Sequence, residues 1–436
     1  MQGDPLADEA LEALNIKHGQ DAYAALMAYV QRPIEQQESS APRRLLDQLM
    51  HIPDWVDWKR IERGQDVFWR HVTYISVSLL HFTLAAGFNS PRFAKVLTST
   101  GYLAGNGTKV RIHETGQFVT DVMQSVEHLR PGTGVAWKSI VQVRLLHSQV
   151  RRRLTRLSRA HDKYYSIEYH GVPINQEDMA ATMFSLSAAM WRLMDTRLGV
   201  RMSMQDREDF LLVWRTVGYY MGVDPAWDPA RDASTSHALM ESIVMHITDP
   251  SEAAGKLAED MLHSMSVFGD GSLSRRLPWW LSSLVCHLEH SFFQMNMAVA
   301  ETLIGPVTWR AMGLRPATWI YRLISRAVFF MFYVDLWIVS RVHWWFKVRS
   351  FLVLKYGEWC ISSALGTRHR PNFAYVKEPT VKDNDLVHTK LGGLYSLLST
   401  YNDICPQRPS HLVLGVLSMA LVAAVSSNHM WLNLIQ

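Results

Sequence analysis

One stretch of this 436-residue chain concentrates side chains that could do chemistry: Val143-Arg144-Leu145-Leu146-His147-Ser148-Gln149-Val150-Arg151. It sets one histidine in an apolar helical run, with an arginine three residues before it and another four after it. At that spacing both arginines share the histidine's face of a helix. Ile140, Val143, Val150 and Leu154 lie on that face or close to it. A neutral imidazole in a dry apolar wall is the kind of ligand a haem iron takes from a protein, and neighbouring arginines suit carboxylate partners such as haem propionates. The same pattern also describes a hydrogen-bonded core histidine on a basic helix, and spacing alone leaves both readings open.

Upstream lies Arg111-Ile112-His113-Glu114-Thr115, followed by Phe118, Val119 and Val122, and then by the turn Arg130-Pro131-Gly132-Thr133-Gly134. Downstream come Pro173-Ile174-Asn175-Gln176-Glu177-Asp178 and Trp214-Arg215, with Gly218 and Gly222 at four-residue spacing. In this order, over roughly residues 50–260, the motifs resemble the rubber oxygenases (latex-clearing proteins) and their fungal relatives, the ER-bound oxygenases of mycophenolic acid biosynthesis. The resemblance implies an all-α fold with a globin-like core, additional helices and a haem b cofactor. It implies His147 as the proximal iron ligand, and Arg144 and Arg151 as cofactor-binding anchors for propionates. Arg111, Glu114 and Thr115 fall on the distal, catalytic side. The implied chemistry is attack by dioxygen on an apolar unsaturated or prenylated substrate of secondary metabolism, by oxidative C=C cleavage or alternatively by hydroxylation or desaturation.

The chain departs from the family pattern at Glu114, where lysine is common and can cap the iron. A carboxylate is a less natural capping ligand, so an open or water-bound sixth site is expected here. The residues also permit plainer roles. Glu114 can pair with Arg111 three residues back, and the Thr115 hydroxyl can bond its own helix backbone. A non-haem iron site from His113, Glu114 and His147 is a further alternative. It is awkward because adjacent helical residues point about 100° apart. A membrane-associated binding protein without catalysis is the remaining one.

Other chemistries find no support. There is no Gly-x-x-x-x-Gly-Lys-Ser/Thr loop, no Gly-x-Gly-x-x-Gly after a strand and no Gly-x-Ser-x-Gly elbow. His287-x-Glu289-His290 is not a zinc-protease helix and reads as structural. The 3 cysteines, Cys286, Cys360 and Cys405, fit no metal or disulfide framework, which points to a reducing, intracellular compartment. Net charge is +4, and the Arg151–Arg159 cluster comes with no nucleic-acid fold motif, so no nucleic-acid partner is expected.

The elements that position these residues read as helices throughout, with no sustained period-2 alternation. Residues 1–45 form a helical arm and linker, with Ala10 to Val30 in one helical pattern; its acidic start predicts no signal peptide. Residues 46–270 form the catalytic domain. Its helices run over Trp55–Gly64, Phe68–Gly87, Phe93–Leu103, Lys109–Leu129, Trp137–Leu157, Gln176–Leu198 and Gln205–Met221, the last two ended by Gly199 and Gly222. Residues 271–436 are aromatic and basic. Trp319 to Leu354 mixes Trp, Phe and Tyr with Arg and Lys, as helices at a membrane surface do, and Leu412–Ser427 is an apolar tail or buried helix.

Overall fold

A computed structural model describes residues 2–16, 20–33, 40–100, 106–160, 165–267 and 277–365. Every regular element among them is helical, as the sequence pattern requires. The expected helix over Leu412–Ser427, the Gly105 turn and Cys405 lie outside the described residues. The main helices in chain order are α1 (Pro5–Ala13), α2 (Ala22–Val30), α3 (Ala41–Met50), α4 (Trp58–Arg70), α5 (Val72–Gly87), α6 (Pro91–Ser99), α7 (Asn106–Gln124) and α8 (Val135–Ala160). They continue as α9 (Gln176–Leu186), α10 (Ala188–Leu198), α11 (Met204–Met221), α12 (Ala233–His246), α13 (Glu252–Ser266), α14 (Trp279–Ile304), α15 (Trp319–Val339) and α16 (His343–Leu365).

The main core gathers the apolar stripes of α3, α4, α8 and α11 around Leu45, Leu49, Ile61, Trp137, Phe210 and Trp214. Trp137 is fully buried, and its indole N–H donates to the Leu49 carbonyl at 3.0 Å, which satisfies the ring's one polar atom. Helix α4 packs closely on α11 at Gly64, where a Cβ would fall 2.2 Å from the Asp209 carbonyl oxygen. Beside that contact Arg60 and Arg63 each place Nε 2.7 Å from a carboxylate oxygen of the buried Asp209. A second core holds Ala258 and Leu262 of α13 with Met297 and Ile304 of α14; Phe82 of α5 and Ile112 of α7 pack against it.

Several elements read as single helices are broken. Ala10–Val30 divides into α1 and α2, because Asp21 caps α2 by accepting from Tyr23 and Ala24. Gln176–Leu198 breaks at Ser187, whose hydroxyl donates to the Met183 carbonyl at 2.6 Å. Lys109–Leu129 breaks at the extended Ser125. Trp319–Leu354 bends between α15 and α16. Phe68–Gly87 breaks at His71 and carries a π-helical turn over Leu79–Leu84, a local widening of the helix often found at functional sites. The expected arm is also no appendage. Ala7, Ala10 and Leu11 of α1 are fully or almost fully buried, and α1 packs on α3 and α8.

Candidate functional site

Helix α8 begins after the turn in which Gly134 N–H donates to the Arg130 carbonyl at 2.8 Å. Its inner face carries Ile140, Leu145, Val150 and Leu154 into the core, and this sets His147 among apolar neighbours. The imidazole keeps partial exposure, but its Nδ1 is fully buried with no hydrogen-bond partner. Burial, and then the positive charge of Arg151, push its pKa down to about 4, against a smaller opposing effect of Asp4. His147 is therefore neutral at pH 7, with one ring nitrogen in need of a partner. Both properties suit a metal ligand.

The two arginines on this face behave differently from each other. Arg144 is buried and fully committed. Its Nε and Nη2 grip the Asp4 carboxylate at 2.6 and 3.1 Å, Nη2 also reaches Gln48 Oε1 at 2.9 Å, and Nη1 reaches the Tyr220 carbonyl at 3.3 Å. Gly222, at φ +83°, makes room for this cluster: a Cβ there would sit 2.6 Å from Arg144 Nε and from Asp4 Oδ2. Arg144, expected as a propionate anchor, is thus already paired in this structure by Asp4, the N-cap of α1. Arg151 donates from Nε to Asp8 at 2.8 Å and from Nη1 to the Ile174 carbonyl at 2.6 Å. Its Nη2 is buried with no partner. So an orphaned donor lies one turn along the helix from the orphaned imidazole nitrogen.

Helix α7 packs against α8 and carries the second motif. Arg111 Nη1 meets Glu114 Oε2 at 2.5 Å, with both side chains mostly covered. The exposed Thr115 donates its hydroxyl to the Arg111 carbonyl at 3.0 Å, a bond within its own helix. His113 Nδ1 pairs with the Lys109 carbonyl at 2.7 Å. The structure therefore joins Arg111 to Glu114, and does not bring His113, Glu114 and His147 together as a ligand set. Among the described residues no group of three His, Cys, Asp or Glu side chains could hold a bare metal ion.

Helix α6 reaches the surroundings of both motifs. None of its residues is buried. Val96 packs on the Val150–Leu154 cluster of α8, and Leu97 on the cluster that includes Ile112 of α7. Val96, Leu97, Ile112, Val143 and Leu146 are all only half-buried.

Two features were not legible beforehand. His81, on the π-helical turn, is buried and held between the Val77 carbonyl (2.9 Å from Nδ1) and Asn296 Oδ1 (3.1 Å from Nε2), and burial lowers its pKa. Asp178 closes a capping box with Asn175, and burial raises its carboxyl pKa to about 6 although Arg92 lies 3.4 Å away. The Pro173–Asp178 motif marked the segment, but only the fold shows that its carboxylate is buried.

Comparison with known proteins identifies the family of this all-helical chain. Residues 69–331 match the family model described as ER-bound oxygenase mpaB/B'/Rubber oxygenase, catalytic domain. That is more than half of the chain, and the chain belongs to this family. The rubber oxygenase of Streptomyces sp. (strain K30) is 24% identical over 241 residues, 54% of this chain and 55% of that protein. The chain thus matches about half the length of this curated relative. The structure of latex clearing protein LCP in the closed state aligns with a TM-score of 0.55 at 18% identity, covering 81% of this chain and 89% of that one, which shows a shared fold.

Proposed function

We propose that this protein is a haem b-dependent oxygenase that acts with dioxygen on an apolar, unsaturated or prenylated substrate of secondary metabolism. The observation that carries the reading is His147: buried at Nδ1, unpartnered and held neutral, in a chain of the rubber oxygenase family. Haem, when bound, supplies the dioxygen and electron-transfer chemistry. The rest falls to the chain's own residues. His147 would hold the iron. Arg151 Nη2 is the buried donor left for a propionate, and Asp4 keeps Arg144 neutralised beside it. The apolar neighbours of His147 on α8, Val143 and Leu146 among them, would exclude water and favour a hydrocarbon substrate. Arg111 orients the Glu114 carboxylate, which can accept a proton from or return one to a bound molecule. With glutamate at position 114 in place of the family's common lysine, the chain offers no amine there that would cap a bound haem.

The test is dioxygen uptake by haem-loaded protein with a polyisoprene oligomer and with a prenylated aromatic, the products being identified by mass. Carbonyl fragments support C=C cleavage, and a gain of one oxygen without fragmentation supports hydroxylation. Haem-loaded protein that consumes no dioxygen with either class would contradict the proposal.

A further inference from the structure

Helices of a globular fold turn their apolar stripe inward. Helices α15 and α16 also carry one outward. On its inner side α16 packs along α7, and the buried Arg349 reaches the Trp69 carbonyl at 2.5 Å and Asp335 Oδ2 at 2.6 Å, fixing α16 to α4 and α15. On the outer side stand Trp319, Phe330 and Trp337 of α15 and Trp344, Phe351 and Trp359 of α16, each more than half exposed. Trp319, Phe330 and Trp337 stand 11 and 7 residues apart, and Trp344 and Phe351 stand 7 apart, so each set recurs at close to whole turns and shares a face. A soluble surface rarely exposes so much aromatic area without a partner.

Charge identifies the partner. The carboxylates that α14, α15 and α16 themselves bring to this region are taken: Glu301 by Arg322, Asp335 by Arg349 and Glu358 by Lys355. Arg326, Arg341 and Lys347 are exposed and make no ion pair among the described residues, although Asp66 of α4 lies near enough to feel the Lys347 charge. The Arg341 guanidinium lies 4.2 Å over the Trp337 ring and the Lys355 ammonium 5.8 Å from the Phe351 ring, so cation and aromatic share one face. Rings that settle among headgroups, with cations that reach lipid phosphates, are the two components of interfacial binding. A second copy of this face would set cations against cations. No single described helix is long and apolar enough to cross a membrane, so the contact lies in the plane of the surface.

We propose that the outward face of α15 and α16 is a docking surface for an anionic lipid bilayer. Because the inner side of α16 packs on α7, docking sets the bilayer one helix away from Arg111 and Glu114. That is the direction from which a lipid-soluble substrate would arrive.

The experiment is flotation of the full chain with phosphatidylcholine vesicles and with vesicles containing about one-third phosphatidylserine. Two surface variants run alongside: the triple Arg326→Glu/Arg341→Glu/Lys347→Glu and the pair Trp337→Ser/Phe351→Ser. All five positions are exposed, and circular dichroism confirms that each variant is folded. Wild type is expected to float with the anionic vesicles, and each variant to bind at least about tenfold more weakly. The triple variant should also lose the salt dependence. Wild type that stays unbound overturns the proposal. So does vesicle binding that neither variant weakens, which would place the lipid contact elsewhere in the chain. A wild-type dimer dissociated by Trp337→Ser/Phe351→Ser, without lipid binding, overturns it in favour of a self-interface. The readout does not depend on haem content, so failure of the haem reading leaves this result interpretable.

Discussion

The clasp between Asp4 and Arg144 permits a sharp test of how the N-terminal helix supports the candidate site. Both side chains are almost wholly buried, at 5% and 2% exposure. Asp4 also caps α1, accepting from Ala7 N–H at 3.2 Å. Asp4→Ser keeps a capping oxygen for α1 while removing the carboxylate that Arg144 holds. Arg144 is then left buried, with Gln48 Oε1 and the Tyr220 carbonyl as its remaining acceptors. Breaking one side of a buried pair costs about 3–5 kcal/mol, and two surviving neutral acceptors put this case near 3 kcal/mol. Arg144→Met alone leaves a buried carboxylate that still accepts from Ala7, and should cost about 2–3 kcal/mol. In the double variant neither charge is stranded, so its loss should fall short of the sum by about 2 kcal/mol. Urea denaturation of the four proteins, followed by far-ultraviolet circular dichroism, measures this cycle. A loss below about 1 kcal/mol for Asp4→Ser, or strictly additive losses, would refute the argument that the pair holds α1 to α8 through mutual neutralisation.

Other consequences follow from single side chains. Glu114→Lys restores the amine common in the family and should change the haem-loaded spectrum from an open or water-bound form to a six-coordinate low-spin one; an unchanged spectrum would remove Glu114 from the iron's surroundings. Asp209 is buried, which by itself opposes ionisation, but hydrogen bonds from Arg63 and Arg60 outweigh this and hold its pKa below the ordinary value. Its stabilising effect is therefore present above about pH 3.9 and fades as pH falls through the lower folded value. Asp209→Asn should cost about 2 kcal/mol at pH 7, a difference that closes under strong acid and is read from urea midpoints across pH. Asp178 has the opposite sign: burial raises its pKa to about 6, so its contribution is largest under acid and is lost as pH rises through that value. Wild type should thus lose stability relative to Asp178→Asn between the ordinary carboxylate range and neutrality, and parallel curves would show that the carboxyl is not perturbed.

The all-helical class and the identity of the site helices were legible because apolar periodicity and glycine stops are local signals. Gly199 and Gly222 end α10 and α11 in left-handed conformation, as read. The apolar setting of His147 was legible for the same reason, since its neighbours along the helix supply it. The partners of Arg144 and Arg151 were not. Asp4 and Asp8 lie about 140 residues away in sequence, and nothing in the spacing of α8 indicates whether an arginine faces a cofactor or an acid of its own chain. The break at Ser187 and the π-helical turn at Leu79–Leu84 were hidden too, because both continue the apolar pattern while changing the backbone. The outward aromatic rows of α15 and α16 appeared in the sequence as composition, and packing of the inner face on α7 decides which side is exposed.

The most direct test of the central claim is the absorption spectrum of protein expressed with supplemented haem, wild type beside His147→Ala, with haem quantified as its pyridine haemochrome. The expected result is a Soret band at near-stoichiometric haem b in the wild type, lost or strongly weakened in His147→Ala while the helical circular dichroism is retained. A wild type without a Soret band, or a folded His147→Ala protein that binds haem as the wild type does, would contradict the account.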